Sequence, residues 1–172
     1  MSVDPDSDAG WFRRHKKHEA QVADWLAARR NYTWRSMGEF HPIDVYFLKD
    51  DIIHSLVEIR TRRNLWVRQE RFVLMDLDKW FSLMQAEIAL HLPSFYVVAA
   101  RDGVWYVRVG ALEVQDFRIV LRGRRDRPHM PNDVCPVLEI PAAKFQCLDE
   151  WVGWYTPEAT DPQPPSAEEI RW

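Results

Sequence analysis

The sequence predicts an α/β domain in which a mixed β-sheet is flanked by helices. Residues 11–30 carry apolar side chains at helical spacing. Residues 43–48 and 52–59 are two β-rich runs around a charged turn. A second helical pattern, residues 78–91, precedes the continuous apolar run 95–100, which is typical of a buried central strand. Paired strands followed by a crossover helix and a buried strand favour a mixed sheet with helices on its faces.

The remaining elements are predicted from shorter patterns. Asp76 or Asp78 is expected to cap the second helix, and Pro93 to end it. The other expected elements are a strand at 32–40, an irregular or edge-like segment at 61–75, a turn at 102–103, strands at 104–109, 117–121 and 137–140, and a short helix at 142–151. We predict an acidic arm at 1–10, one domain at 11–156, and an acidic, proline-rich tail at 157–172 that is mobile or binds a partner.

Composition limits the class of protein. A chain of 172 residues with 47% hydrophobic content fits one globular domain with an adequate core. It contains no apolar run long enough to span a membrane, and its polar, acidic first residues do not resemble a signal peptide. Cys135 and Cys147 lack metal-type spacing and are interpreted as reduced thiols. We therefore expect a cytoplasmic protein.

Charge is distributed unevenly along the chain. The net charge is −3, yet without the two acidic ends the remainder holds 22 Lys and Arg against 19 Asp and Glu, about +3. The basic residues cluster at 13–18, 28–30, 60–63 and 122–127. Such clusters either contact the phosphates of a nucleic acid or form an ordinary solvated face.

Two acids interrupt the apolar strands of the segment PIDVYFLKDDIIHSLVEIRTRR, residues 42–63. Asp44 opens the first run, and Glu58 lies inside the apolar stretch that closes the second, two positions before Arg60. A carboxylate is costly to bury alone. Two explanations stay open: a metal site, or an ion pair between Arg60 and one of the acids.

This arrangement resembles the PD-(D/E)xK nuclease superfamily, and its small phage-type and resolvase-like members in particular. The residues that carry the resemblance are Pro42-Ile43-Asp44 and Glu58-Ile59-Arg60, with Glu19 in the first helix, Asp78-Lys79-Trp80 opening the second, and Leu92-Pro93-Ser94 leading into the next strand. The resemblance covers roughly residues 15–110. It implies a restriction-endonuclease-like αβββαβ core and endonuclease activity that hydrolyses phosphodiesters of DNA with Mg²⁺ or Mn²⁺.

The resemblance also implies roles for individual residues. Asp44 and Glu58 would hold the metal together with the carbonyl oxygen of Ile59, and Glu19 would hold metal or water. Arg60 stands where the superfamily usually has lysine; an arginine stays protonated and cannot act as a general base, but it can stabilise charge on the phosphate. Lys79 either supplies a relocated amine or is a solvated lysine at the helix end.

The expected nucleic-acid contacts lie on both helices and beside the acids. They are Arg13, Arg14, Lys16, Lys17, Arg62, Arg63, Lys79 and Gln85. Nine tryptophans are many for this length, so we expect some of them to be exposed, stacking on bases or covering a protein interface. Three functions stay open: a DNA endonuclease, a nucleic-acid-binding module that has lost cleavage, and a phage interaction or virion-assembly protein that uses these tryptophans and the acidic tail. A homodimer is compatible with each.

Overall fold

The computed structural model describes residues 8–38, 41–62, 64–123 and 134–149. The helices and strands, in chain order, are α1 Asp8–Arg30, β1 Thr33–Ser36, β2 Val45–Lys49, β3 Ile52–Arg62, β4 Phe72–Asp76, α2 Leu77–Leu90, β5 Ser94–Ala100, β6 Gly103–Arg108, β7 Arg118–Arg122, β8 Cys135–Pro141 and β9 Gln146–Asp149. Short 3-10 turns occur at Val67–Gln69, Val109–Ala111, Val114–Asp116 and Ala142–Lys144.

The larger sheet has six strands in the order β1-β2-β3-β5-β6-β9. β3 and β5 are parallel, and the other neighbouring pairs are antiparallel. The predicted mixed sheet is therefore confirmed. Asp50 and Asp51 form the tight turn between β2 and β3 with φ of 52° and 61°, a left-handed backbone that aspartate tolerates better than most residues.

The two helices cover opposite faces of this sheet. Val22 and Ala23 of α1 pack against a cluster that includes Val57 and Ile59 of β3. Leu83 of α2 packs in the other cluster, with Leu56 of β3 and with Tyr96 and Val98 of β5. Because alternate residues of a strand point to opposite faces, the side chains of Glu58 and Arg60 lie on the face covered by α2.

A second sheet has three antiparallel strands in the order β4-β8-β7. The segment 61–75 was predicted to be irregular or edge-like, and within it Phe72–Asp76 forms β4, an edge strand of this sheet. Its partner β8 lies more than 60 residues further along the chain, so no local pattern shows the pairing. Val73 and Met75 are buried with Leu138 and Ile140 of β8 in the α2-side core, which attaches this sheet to the rest of the domain.

The predicted short helix at 142–151 is wrong for the residues that the structure describes, 142–149. Ala142–Lys144 is a 3-10 turn, and Gln146–Asp149 forms β9, which pairs with β6. The unpaired edge of β6 offers this segment backbone hydrogen bonds that a short isolated helix would have to form alone. The predicted strand at 32–40 is shorter, Thr33–Ser36.

The ends of the chain lie partly outside the described residues. The structure begins with α1 at Asp8; residues 1–7 and 150–172 are not described, so the proposed arm and tail stay predictions. Neither described helix is long and apolar enough to cross a membrane. The cytoplasmic location stays a prediction.

Candidate active site

Asp44 and Glu58 lie next to each other on neighbouring strands. Val45 pairs with Val57, and continuing that register by one residue places Asp44 opposite Glu58. Both acids are buried, with 7% and 0% of their surface exposed. The backbone N–H of Ile59 donates a hydrogen bond of 2.9 Å to Oδ2 of Asp44. The structure thus brings the two predicted acids together on one face of the sheet.

Two cations flank the carboxylate of Glu58. Nζ of Lys79 lies 3.0 Å from Oε1 and donates a hydrogen bond of 3.1 Å to Oε2. Nη2 of Arg60 lies 3.4 Å from Oε1 and 3.0 Å from Oδ2 of Asp76. Within the described part of the chain, Oε1 of Glu58 accepts no hydrogen bond with good geometry. This buried oxygen is therefore stabilised only by the nearby positive charges of Lys79 and Arg60.

The junction between β4 and α2 positions Lys79 and Asp76. Asp76 ends β4 and occupies the N-cap position of α2, but its side chain makes no capping hydrogen bond and pairs with Arg60 instead. α2 begins at Leu77, so Lys79 lies in its first turn, where it also donates a hydrogen bond of 2.7 Å to the carbonyl oxygen of Pro42. Lys79 is only 18% exposed, which contradicts the reading of it as a solvated lysine.

The electrostatics of the site favour further positive charge. Burial, reinforced by the negative charge of Asp44, raises the pKa of Glu58 from 4.5 to about 8, although Arg60 and Lys79 act in the opposite direction. Burial alone would lower the pKa of Arg60, but Glu58 and the other acidic groups around it, Tyr96, Asp76 and Asp44, together outweigh burial and the pKa is raised. Arg60 stays protonated, whereas Glu58 is incompletely ionised at neutral pH.

The donor set fits a hard divalent cation. Among the described residues, no three or more His, Cys, Asp and Glu side chains are grouped so that they could hold a metal ion. The predicted set is smaller, because it consists of two carboxylates and the carbonyl oxygen of Ile59. Mg²⁺ keeps several waters and is commonly bound through one or two carboxylates. The neighbouring acids and the poorly satisfied Oε1 of Glu58 meet that requirement.

Glu19 is the predicted site residue whose position differs most from the others. It is buried, with 7% of its surface exposed, and lies one turn before Val22 and Ala23 on α1. That helix covers the face of the sheet opposite to the one that carries Glu58. A role for Glu19 in holding metal or water stays a prediction.

The expected nucleic-acid contacts are only partly described. Lys17, Arg62 and Gln85 are exposed, whereas Lys79 belongs to the acid site. The side chains of Arg13, Arg14, Lys16 and Arg63 lie outside the described part.

The five tryptophans whose side chains the structure describes do not support the expected exposure. Of those that the structure describes, Trp105 is buried and Trp25, Trp34, Trp66 and Trp80 are half-buried. None of these described tryptophans is exposed, because each packs against the core or against neighbouring side chains. Trp66, for example, lies beneath the guanidinium of Arg101 at 5.2 Å. The other four tryptophans, Trp11, Trp151, Trp154 and Trp172, are outside the described side chains.

The partner of Arg60 was missed by sequence reasoning. Asp76 was expected to cap α2, and its pairing with Arg60 depends on where β4, a strand of the second sheet, ends relative to Arg60. The only available signal was that Asp76 stands three residues before Lys79. One turn of chain therefore carries both the partner of Arg60 and the partner of Glu58.

The fold and the paired acids define a protein of the PD-(D/E)xK nuclease type. Residues 13–148 match the family described as "Phage putative PDDEXK endonuclease", and the chain belongs to this family. The resemblance predicted from the sequence is thereby confirmed. Nucleases of this type generally use divalent metal ions.

A solved structure shares the fold. The Archaeoglobus fulgidus Hjc structure, a Holliday junction resolvase from an archaeal hyperthermophile, is 8% identical, with a TM-score of 0.50 over 77% of this chain and 91% of that one. At this identity the likeness concerns the fold alone. No curated protein matches the chain.

Proposed function

We propose that the protein is a divalent-metal-dependent DNA endonuclease with its active site at Asp44 and Glu58. The observation that carries this proposal is the buried carboxylate of Glu58, placed beside a second acid and between Arg60 and Lys79. Membership of a PDDEXK endonuclease family supports nuclease-type activity. The fold of a Holliday junction resolvase supports DNA as the substrate.

The carboxylates of Asp44 and Glu58 and the carbonyl oxygen of Ile59 would hold Mg²⁺ or Mn²⁺. The ion would supply Lewis-acid stabilisation of the charge that develops on the scissile phosphate. Asp44 is held in place by the N–H of Ile59, and Glu58 by Lys79. Their orientation is therefore set before any ligand arrives, which reduces the reorganisation that binding requires.

Arg60 and Lys79 share the role that the superfamily usually gives to one lysine. Arg60 remains a cation at any relevant pH and stabilises negative charge on the phosphate. Lys79 reaches the same carboxylate from α2 and places a primary amine beside the acid pair. As a hydrogen-bond donor beside the acid pair, Lys79 can orient the attacking water, while Arg60 stabilises charge on the phosphate. The departure at Arg60 is therefore compatible with catalysis.

Plasmid nicking tests this proposal. Supercoiled DNA should be nicked with Mg²⁺ or Mn²⁺ and left intact with a chelator. Glu58→Gln and Asp44→Asn should each abolish nicking, because a neutral amide is a poor ligand for a hard cation. Glu87→Gln is the matched control, since Glu87 is also an ion-paired acid but bonds Ser94 and Arg108 at the other end of α2. A fully active Glu58→Gln protein would refute the proposed site.

A second function is favoured by the ion pairs themselves. Lys79 and Arg60 already compensate much of the charge of Glu58, as they would in a nuclease fold that binds nucleic acid without cutting it. Salt-sensitive DNA binding with no nicking under any divalent metal would support this function. Absence of DNA binding would instead favour the interaction or virion-assembly protein.

A further inference from the structure

The outward face of the second sheet carries a group of exposed arginines, which we call the arginine patch: Arg71, Arg118 and Arg122. Phe72, Leu74 and Asp76 of β4 share this face with Glu139 of β8 and with Arg118 and Arg122 of β7, because residues paired across antiparallel strands point the same way. The opposite face, with Val73 and Met75, is buried in the core.

Glu139 holds two of these arginines in place. Its Oε1 accepts hydrogen bonds from Nη2 of Arg122 at 2.5 Å and from Nε at 3.2 Å, and its Oε2 accepts one from Nε of Arg118. Glu139 is only 2% exposed, whereas the side chains of Arg118 and Arg122 are 62% and 58% exposed. The arginines therefore cover the acid and present their outer N–H groups to solvent.

An aromatic ring holds the third arginine beside them. The guanidiniums of Arg71 and Arg118 lie 5.0 and 4.9 Å from the centre of the Phe72 ring. Hydrogen bonds from Arg122 and Arg118 hold the pKa of Glu139 below its usual range against the effect of burial, so this acid is ionised. Three arginines against one carboxylate leave the patch with a net charge of about +2.

The patch is continuous with the proposed active site. Asp76, on the same face, binds Arg60 at 3.0 Å. The row Asp76–Val137–Val120 crosses the sheet between Arg118 and Arg122. With strands about 4.8 Å apart and a rise of about 3.3 Å per residue, each arginine backbone lies about 12 Å from that of Asp76. This distance corresponds to three or four nucleotides along B-form DNA, at about 3.4 Å each.

We propose that the arginine patch binds the sugar-phosphate backbone of the nucleic acid a few nucleotides from the phosphate held at Asp44 and Glu58. The proposal rests on the proposed function for the position of the substrate, but its chemistry is independent of cleavage. Preoriented guanidiniums with exposed N–H groups match phosphate oxygens, and the strand β7 is not part of the sheet that carries the acids. Arg118 and Arg122 thus contribute affinity and register rather than catalysis.

The test measures binding to a short fluorescently labelled DNA duplex by anisotropy, with a chelator present so that no cleavage occurs. Salt is varied between about 50 and 200 mM. The variants are Arg118→Ala/Arg122→Ala, Glu139→Gln, and the matched control Arg108→Ala. Arg108 is 55% exposed and bound to Glu87 at 2.8 Å, so it resembles the patch arginines in exposure and pairing. Its partner Glu87 lies about two turns of α2 after Lys79, away from the proposed site.

We expect the double variant to bind DNA on the order of tenfold more weakly. The logarithm of its binding constant should also fall less steeply with the logarithm of salt concentration, with a slope smaller in magnitude by about 2. Glu139→Gln should bind about twofold more tightly, because glutamine keeps one acceptor oxygen for the arginines but removes the negative charge that opposes the bound phosphates. Arg108→Ala should match the wild type. Circular dichroism checks folding; if the double variant is unfolded, the sign of the Glu139→Gln effect decides.

Failure of this inference and failure of the proposed function are distinguishable. Duplex binding that depends on the patch, without nicking by the wild-type protein, supports the patch and refutes the endonuclease. Nicking by a double variant whose affinity and salt slope are unchanged overturns the patch alone. The patch is also overturned if the wild-type protein binds no duplex at low salt, or if Arg108→Ala weakens binding as much as the double variant.

Discussion

Replacing Glu58 with glutamine removes a buried carboxyl group while keeping its size. In the wild-type protein without metal, burial and the neighbouring Asp44 raise the pKa of Glu58 from 4.5 to about 8. Between these values the folded protein retains a proton that the unfolded chain has lost. The free energy of unfolding must therefore fall as the pH rises from 4.5 to 8, and level off above it.

The size of this effect follows from the two pKa values. A difference between 4.5 and about 8 corresponds to about 5 kcal/mol once the group is fully ionised. From about pH 5 to about pH 8 the expected loss is about 3 kcal/mol. Small domains have total stabilities of about 5–15 kcal/mol, so the change is large enough to measure. The Glu58→Gln protein lacks the titrating group and should lose much less over this interval.

Urea unfolding followed by tryptophan fluorescence, in chelator and at several pH values, measures both proteins. Glu87→Gln is the control. Burial would raise the pKa of Glu87, but hydrogen bonds from Ser94 and Arg108 hold it below its usual range. This acid therefore changes the free energy of unfolding only at lower pH. Adding Mg²⁺ should flatten the wild-type curve, because a cation bound at the site stabilises the ionised form.

Equal pH dependence in the wild-type and Glu58→Gln proteins would refute the electrostatic argument. A wild-type curve that falls as expected but does not respond to Mg²⁺ or Mn²⁺ would leave the buried acid in place and contradict the metal site. The Glu87→Gln protein must keep the wild-type dependence of the free energy of unfolding on pH. Otherwise the weaker pH dependence would follow from the loss of any ion-paired acid and would not be specific to Glu58.

Three further predictions concern single residues. Lys79→Ala should reduce plasmid nicking by about 100-fold or more and steepen the fall of stability with pH, because Lys79 lowers the pKa of Glu58; unchanged nicking would exclude it from the site. Arg60→Lys should retain or raise nicking and Arg60→Ala should lose it, and equal activity of both would contradict a charge-stabilising role. Leu83→Ala, at a fully buried position of α2, should cost about 2–5 kcal/mol in urea unfolding.

Local chemistry accounts for the parts of the site that were predicted correctly. The turn at Asp50 and Asp51 starts the pairing of β2 with β3, and a one-residue register shift between Phe47 and Leu48 then brings Asp44 opposite Glu58. Strand alternation then puts Arg60 on the same face. The turn and the strand alternation depend on residues within about 20 positions of one another, so the sequence alone determined them, together with the crossover helix and the buried strand β5. The register shift in β2 appears only in the folded protein.

The tertiary structure decided which groups surround the acids. Whether Lys79 points to solvent or to Glu58 depends on how α2 packs over the sheet. The pairing of Arg60 with Asp76 depends on β4, whose own partner β8 lies more than 60 residues away. Such pairings are stabilised by hydrogen bonds and burial between distant segments. The secondary-structure propensities of either segment do not reflect this stabilisation. The second sheet and the arginine patch therefore could not be predicted from the sequence and appear only in the folded protein.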